Sequence, residues 1–266
     1  MTLHTRKRFC LCLGLVIALL LLCFFASSVT PFDPYVQNLN EALQPPGGVH
    51  ILGTDRYGRD LFSRVLAGGK VTVFSALAVV LSATLFGSFI GIMCGLHPGK
   101  AATVLMRVAD VFLAFPTMVF AIAVAGILGG GTLNAALAIV LVAWPKYTRL
   151  ASGLVRPLRH APFMEAARMS GSSELEVLPL VIGPIVVTAA LDVGTVIAEL
   201  AGLSFLGLGT APPAAEWGSM MSGSRSLLQS APWTVLAPGL GIFVTVAIFQ
   251  LFADALRDVV DHSIET

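Results

Sequence analysis

The sequence predicts an all-α polytopic membrane protein with about six transmembrane helices. Of its 266 residues 56% are hydrophobic and only 12% charged, its mean hydropathy is +0.87, and its apolar residues gather into long runs separated by Pro, Gly and charge. A soluble domain holds roughly 45–50% apolar residues, so lipid is the expected solvent for most of this surface. A helix needs about 20 apolar residues to cross about 30 Å of hydrocarbon, and it satisfies its own backbone hydrogen bonds there.

Six runs meet or approach that length: Phe9–Val29, Val71–Leu96, Val108–Leu128, Thr132–Trp144, Leu178–Leu203 and Trp233–Ala253. The fourth is short and is expected to end at Trp144-Pro145. They divide the chain into a tail plus first span (1–29), an extracytoplasmic loop with an interfacial helix (30–70), and a five-helix core (71–266) with a cytoplasmic loop at about 146–178. Arg6, Lys7 and Arg8 precede the first run, which could be a cleaved signal peptide or a retained anchor. The apolar stretch from Phe9 to Ala26 exceeds the h-region of a signal peptide, which favours an anchor with its amino end inside. That orientation leaves eleven of the sixteen basic residues inside, satisfies the positive-inside rule, and makes both termini cytoplasmic.

Within the spans, Gly87, Gly91 and Gly95 repeat every four residues, as do Gly194, Ala198 and Gly202, giving two faces where another helix backbone can approach. In the outer loop, Leu61, Phe62, Val65 and Leu66 mix with charge as in an interfacial helix, and Asp60 and Arg64 have the spacing for an ion pair. In the inner loop, Pro162 opens and Gly171 closes a short helix bearing Phe163, Met164, Ala167 and Met169. Ser173 and Glu176 form a capping box for the next. Such an apolar helix docks either on the protein's own helix ends or on a soluble partner. From Ala201 to Trp233, Gly and Pro are too dense for a straight helix, leaving a re-entrant segment or a long loop.

A net charge of +1 gives no overall field for nucleic acid. Cys10, Cys12, Cys23 and Cys94 lie in or beside apolar runs and read as packing residues, without a metal-ligand spacing. His4, His50, His97, His160 and His262 are scattered and mostly near the surface, so no metal site or other cofactor is expected in this chain. Gly69-Lys70-Val71 and Gly99-Lys100-Ala101 both fail the phosphate-binding loop of an ATPase. Asp192 and Glu199, seven residues apart in the fifth run, face the same way. An acid at that depth either lines a pathway or pairs with a neighbouring helix, and Asp110 sits near the inner end of the third run.

The inner-loop series Glu165-Ala166-Ala167, Gly171 and Pro184 resembles the EAA motif of permease subunits in binding-protein-dependent ABC importers, departing from the pattern mildly at Val181 and Gly183. Gly53-Thr54-Asp55 with Gly58-Arg59-Asp60, Leu203-Ser204-Phe205-Leu206-Gly207-Leu208-Gly209, and Asp254-Ala255-Leu256-Arg257-Asp258 resemble the C-type permease of the dipeptide, oligopeptide and nickel importers. The resemblance runs from about Pro31 to Asp261. It implies a type I ABC importer permease fold in the bacterial inner membrane, pairing with a second homologous permease. It also implies two ATP-binding subunits that grip the cytoplasmic loops and an extracytoplasmic solute-binding protein, with ATP hydrolysis left to the separate subunits. Pro162 to Gly171 would be the coupling helix, with Glu165, Ala166, Ala167 and Gly171 at the ATPase contact. The Thr210-Ala211-Pro212, Ala215-Glu216-Trp217-Gly218 and Ala190-Leu191-Asp192-Val193-Gly194 segments look closer to nickel-type than to peptide-type permeases. An ion-coupled secondary transporter with Asp192 and Glu199 as carriers is the alternative; it leaves the inner-loop motif unexplained.

Overall fold

The structure is a computed structural model and describes residues 3–159, 161, 162, 164, 169 and 178–264. Among these the helices are α1 (Leu3–Phe24), α2 (Ala26–Val29), α3 (Leu61–Leu96), α4 (Lys100–Leu113), α5 (Thr117–Ile127), α6 (Thr132–Arg159), α7 (Leu178–Leu203), α8 (Trp217–Ser224) and α9 (Trp233–Ile264). Four of them, α1, α3, α7 and α9, are long and apolar enough to cross a membrane, and the bent pair α4 and α5 raises the number to five. The expected six spans are therefore revised to four or five by length and composition. The difference lies in α6, whose middle carries Lys146 and Arg149.

Three boundaries differ from expectation, each for a local reason. The third run is not one span: α4 and α5 meet at 93°, because Pro116 pushes Phe115 away from helical geometry and then stands at the N-cap of α5. The fourth run does not stop at Trp144-Pro145, and the stretch expected as inner loop from Lys146 is helical to Arg159. A proline inside a helix removes one hydrogen bond and crowds the preceding turn. Here the helix is held through that point by its packing on α3. The interfacial helix expected around Leu61 is the first turns of α3 itself, which Asp60 caps by accepting from the Ser63 amide at 2.8 Å.

The α3–α6 contact is the clearest outcome of the small-residue pattern. A Cβ on Gly87 would strike the Trp144 carbonyl, one on Gly91 would strike the Thr148 carbonyl and lie 2.8 Å from the Ala151 Cβ, and one on Gly95 would come within 2.7 Å of Val155. With the backbones this close, Thr148 Oγ1 donates across the interface to the Gly87 carbonyl at 3.0 Å. Replacing Gly91 with Leu is expected to destabilise the bundle by about 1–3 kcal/mol through overpacking. In detergent melts the midpoint should fall relative to Gly126→Leu, whose site has open space. The second trio is not covered by one helix: Gly194 packs on Val246 and Gly202 on Met118, while Ala198 is exposed.

The core fills the space between α3, α6 and α7 with Val73, Ala76, Val79, Ile139, Ile197 and Leu203, all buried. Outside it, Leu11, Leu21, Leu85, Phe89 and Phe243 stay exposed, as expected of surfaces facing lipid. Arg8 pairs with Asp258 at 3.0 Å, so the beginning of α1 and the last turns of α9 share one face of the molecule.

At the opposite end, residues 30–60 form a lobe around buried charge. Arg59 bonds Asp55 at 2.7 Å, and Arg64 lies 3.5 Å from the same carboxylate. The expected Asp60–Arg64 pair is not formed: Asp60 Oδ1 is 2.9 Å from His50 Nδ1, and that histidine is buried, not superficial. Gly58 adopts φ 71°, where a Cβ would also run into the Asn38 carbonyl.

After α7 the chain passes through a wide helical turn, Ser204–Leu208, that ends when Gly207 takes φ 89°. The chain then runs through turns and irregular backbone to α8, whose Gly218 packs against Ala201 and Ser204. Glu216, 2% exposed, caps α8 by accepting from the Gly218 and Ser219 amides at 2.9 Å each and from Ser219 Oγ at 2.7 Å.

Candidate translocation face and coupling surface

The half-way points of α6 and α7 carry the densest polar cluster within the bundle. Lys146 lies about 21 Å along the roughly 42 Å of α6, and its Nζ donates to both oxygens of Asp192 on α7, at 2.6 and 2.8 Å. Tyr147 donates its hydroxyl to the same carboxylate at 2.8 Å. One turn further along α6, Arg149 pairs with Asp110 of α4. Asp192 thus makes the interhelical pairing considered for it. Glu199 makes no hydrogen bond or ion pair among the described residues, and stands about 10 Å along α7 from Asp192.

The position of these charges matters more than the pairing. The Lys146 and Arg149 side chains are 51% and 48% exposed, half-way along a helix packed into the bundle. On α7, Thr188, Asp192, Thr195 and Glu199 follow one another at steps of four, three and four, which places them on one face. All four are exposed or half-exposed. One side of this chain therefore combines polarity with an open surface.

Tyr147, Lys146, Arg149, Thr188 and Thr195 had not been singled out from the sequence as members of this site. Trp144-Pro145 looked like the end of a span, which assigned the two cations to a loop. The spacing of the two threonines around Asp192 and Glu199 was the available signal.

The segment expected to be the coupling helix is described only in part: Glu165, Ala166, Ala167 and Gly171 lie outside the described residues. Two side chains in it are informative. Met164 is 1% exposed and packs in a cluster with Leu96, Ala151, Val155, Val181 and Ile185, whereas Met169 is 87% exposed. Docking on the chain's own helix ends and presentation of an apolar side chain outward thus both occur.

An all-α bundle with four or five helices suited to a bilayer and a polar face between α6 and α7 defines a multi-pass membrane protein. Residues 87–266 match the family model described as binding-protein-dependent transport system inner membrane component, and residues 3–46 match the N-terminal transmembrane domain of oligopeptide transport permease C. The chain belongs to this family of ABC-importer permeases, which are non-catalytic inner-membrane subunits for peptide- or nickel-type solutes. It is 39% identical to the nickel transport system permease protein NikC of Escherichia coli K12, over 95% of this chain and 93% of that protein. It is 37% identical to the probable D,D-dipeptide transport system permease protein DdpC of the same organism, over 93% and 85%. The dipeptide transport system permease protein DppC of Alkalihalophilus pseudofirmus is 38% identical over 95% and 86%. In fold the chain is similar to one of the MetNI methionine ABC transporter, with a TM-score of 0.58 at 16% identity, covering 74% of this chain and 96% of that one. That likeness identifies the type I permease fold.

Proposed function

We propose that this chain forms half of the translocation pathway of an ATP-driven importer, with the Thr188–Asp192–Thr195–Glu199 face of α7 and the Lys146 side of α6 turned toward a second, homologous permease. The Lys146–Asp192 pair, half-way along α6 and α7 with the lysine half-exposed and the aspartate largely covered, carries this reading, because lipid alone would be a poor cover for it. Both termini are cytoplasmic, and residues 162–171 form the coupling helix for two ATP-binding subunits. Met164 anchors it to the bundle and Met169 faces outward, with Glu165, Ala166, Ala167 and Gly171 at the ATPase contact. A solute-binding protein delivers solute to the opposite face. Movement of the bundle follows ATP only if the nucleotide-bound subunits favour one arrangement of the loops over another.

For the solute, nickel or a metal chelate is favoured over di- and oligopeptides. This preference rests on the segments around Asp192, Thr210 and Glu216, since identities of 39%, 38% and 37% to nickel and dipeptide permeases do not separate the two. The family assignment replaces the ion-coupled alternative, and engagement of Asp192 by Lys146 removes one of its two free carriers.

The test is co-purification from detergent-solubilised membranes. Wild type is expected to bring down an ATPase and a second permease, while Glu165→Arg and Gly171→Arg retain the permease and lose the ATPase. A wild-type chain that purifies under gentle conditions without any ATPase would refute the coupling assignment. Uptake of nickel, then of dipeptide, by cells carrying the complete system decides the solute.

A further inference from the structure

The outer lobe contains a cavity that the transport reading does not use. Its volume is about 50 Å³, and Asp55, Arg56, Arg59 and Arg64 line it together with residues of α8 and the start of α9. Three guanidiniums therefore face one carboxylate. Arg59 and Arg64 are only 6% and 4% exposed, and buried charges of one sign are costly unless matched and hydrogen-bonded. Asp55 is shared by both, and burial first, then the charge of Arg59, disfavours the protonated form of Arg64.

The hydrogen bonds are as uneven as the charges. Arg59 spends Nε and Nη2 on Asp55, and Arg64 spends Nη1 on the Pro34 and Pro213 carbonyls. Arg59 Nη1 and Arg64 Nη2 have no acceptor among the described residues. The Arg56 and Arg59 guanidiniums stand 4.9 and 4.7 Å from the Tyr57 ring centroid, so the ring holds two cations close to each other by cation–π attraction. Arg56 is exposed at the rim, lying 3.7 Å from where a Gly223 Cβ would be.

We propose that this cavity is a binding site for a single carboxylate group, presented from the extracytoplasmic side. Two spare guanidinium donors match the two oxygens of a carboxylate, which arginine recognises in this paired fashion. Arg56 at the rim supplies attraction during entry. The proposal stands independently of the transport reading, because it concerns equilibrium binding to the chain itself.

The experiment is ligand-observed NMR on the full-length chain in lipid nanodiscs at low salt, with acetate, glycylglycine, glycylglycinamide and inorganic phosphate as probes. Acetate and glycylglycine are expected to bind saturably, and Arg56→Gln to weaken both about threefold, the scale of an exposed charge pair, with an unchanged melting midpoint. Arg59→Gln should remove binding. Arg56→Gln keeps the test valid if Arg59→Gln fails to fold, since Arg56 takes no part in the buried pairs. Glycylglycine binding more tightly than acetate identifies the terminal carboxylate of a peptide-type solute as the occupant. Equal binding identifies an isolated carboxylate, such as an acidic side chain of a docked protein. Equal binding of glycylglycinamide, tighter binding of phosphate than of either carboxylate, or no saturable binding by folded wild-type protein overturns the proposal.

Discussion

Asp192→Ala should abolish uptake while leaving a chain that still inserts, and Lys146→Met should do the same through the same contact. Removing the acid strands an ammonium at mid-depth, where translocon-based scales put an unpaired lysine at about 2.5–3.5 kcal/mol; removing the lysine strands the carboxylate and the Tyr147 hydroxyl pointed at it. The double variant removes both charges. Its stability should therefore recover beyond the sum of the single effects, giving a coupling of about 0.5–3 kcal/mol in a double-mutant cycle. Uptake should not recover, because a neutral face no longer presents the polarity of the pathway. Additive losses in stability would show that the pair is incidental, and full uptake in the double variant would show that this face is not the route.

Trp217→Ala is expected to have the largest effect on the fold of any single truncation. The indole is 3% exposed and is enclosed by three glycines. Cβ atoms on Gly68, Gly69 and Gly241 would approach it to 3.1, 2.9 and 3.0 Å. Its Nε1 donates to the Val65 carbonyl at 2.8 Å, a main-chain group beside the start of the membrane-crossing part of α3. Truncation removes the filler of a space that α3, α8 and α9 were shaped around and leaves a cavity, at a cost of about 3–5 kcal/mol. Trp217→Phe should recover most of the packing and lose only the hydrogen bond. The measurement is the fraction of monodisperse protein after solubilisation, with wild type and Trp217→Phe alongside. A near-wild-type yield for the alanine variant would mean that α8 is held by the Glu216 cap and not by the ring.

The sequence makes the helical class and most helices legible because membrane depth demands continuous apolar runs, and a run is a local property. A close helix approach along Gly87, Gly91 and Gly95 was equally legible, since a glycine every four residues has few uses apart from close approach, although α6 as the partner was not. Gly194, Ala198 and Gly202 show the limit of that reasoning: the same spacing occurs, but Gly194 and Gly202 meet different neighbours and Ala198 is exposed. Pro116 and Pro145 show another. One ends a helix at a 93° bend and the other sits inside a continuous helix, and the difference lies in the packing around each. Likewise the polar face was half visible. Asp192 and Glu199 stood out as acids in an apolar run, whereas Lys146 and Arg149 were hidden by a plausible helix end just before them. The cap on α8 depends on Glu216 meeting amides two and three residues on, inside a stretch whose Gly and Pro content advertised only irregularity.

Helix α3 has a mechanical consequence. Its 36 residues make a rod of about 54 Å, far longer than about 30 Å of hydrocarbon. One end is fixed by Asp60 in the lobe of residues 30–60, and the other, Leu96, sits in the same apolar cluster as Met164. An unbroken rod has no joint at which a push can be absorbed. A tilt of about 5° around its middle would carry the two ends about 2 Å in opposite directions, so a displacement beside Met164 is felt at the Asp60 end as its mirror image, as on the two arms of a lever.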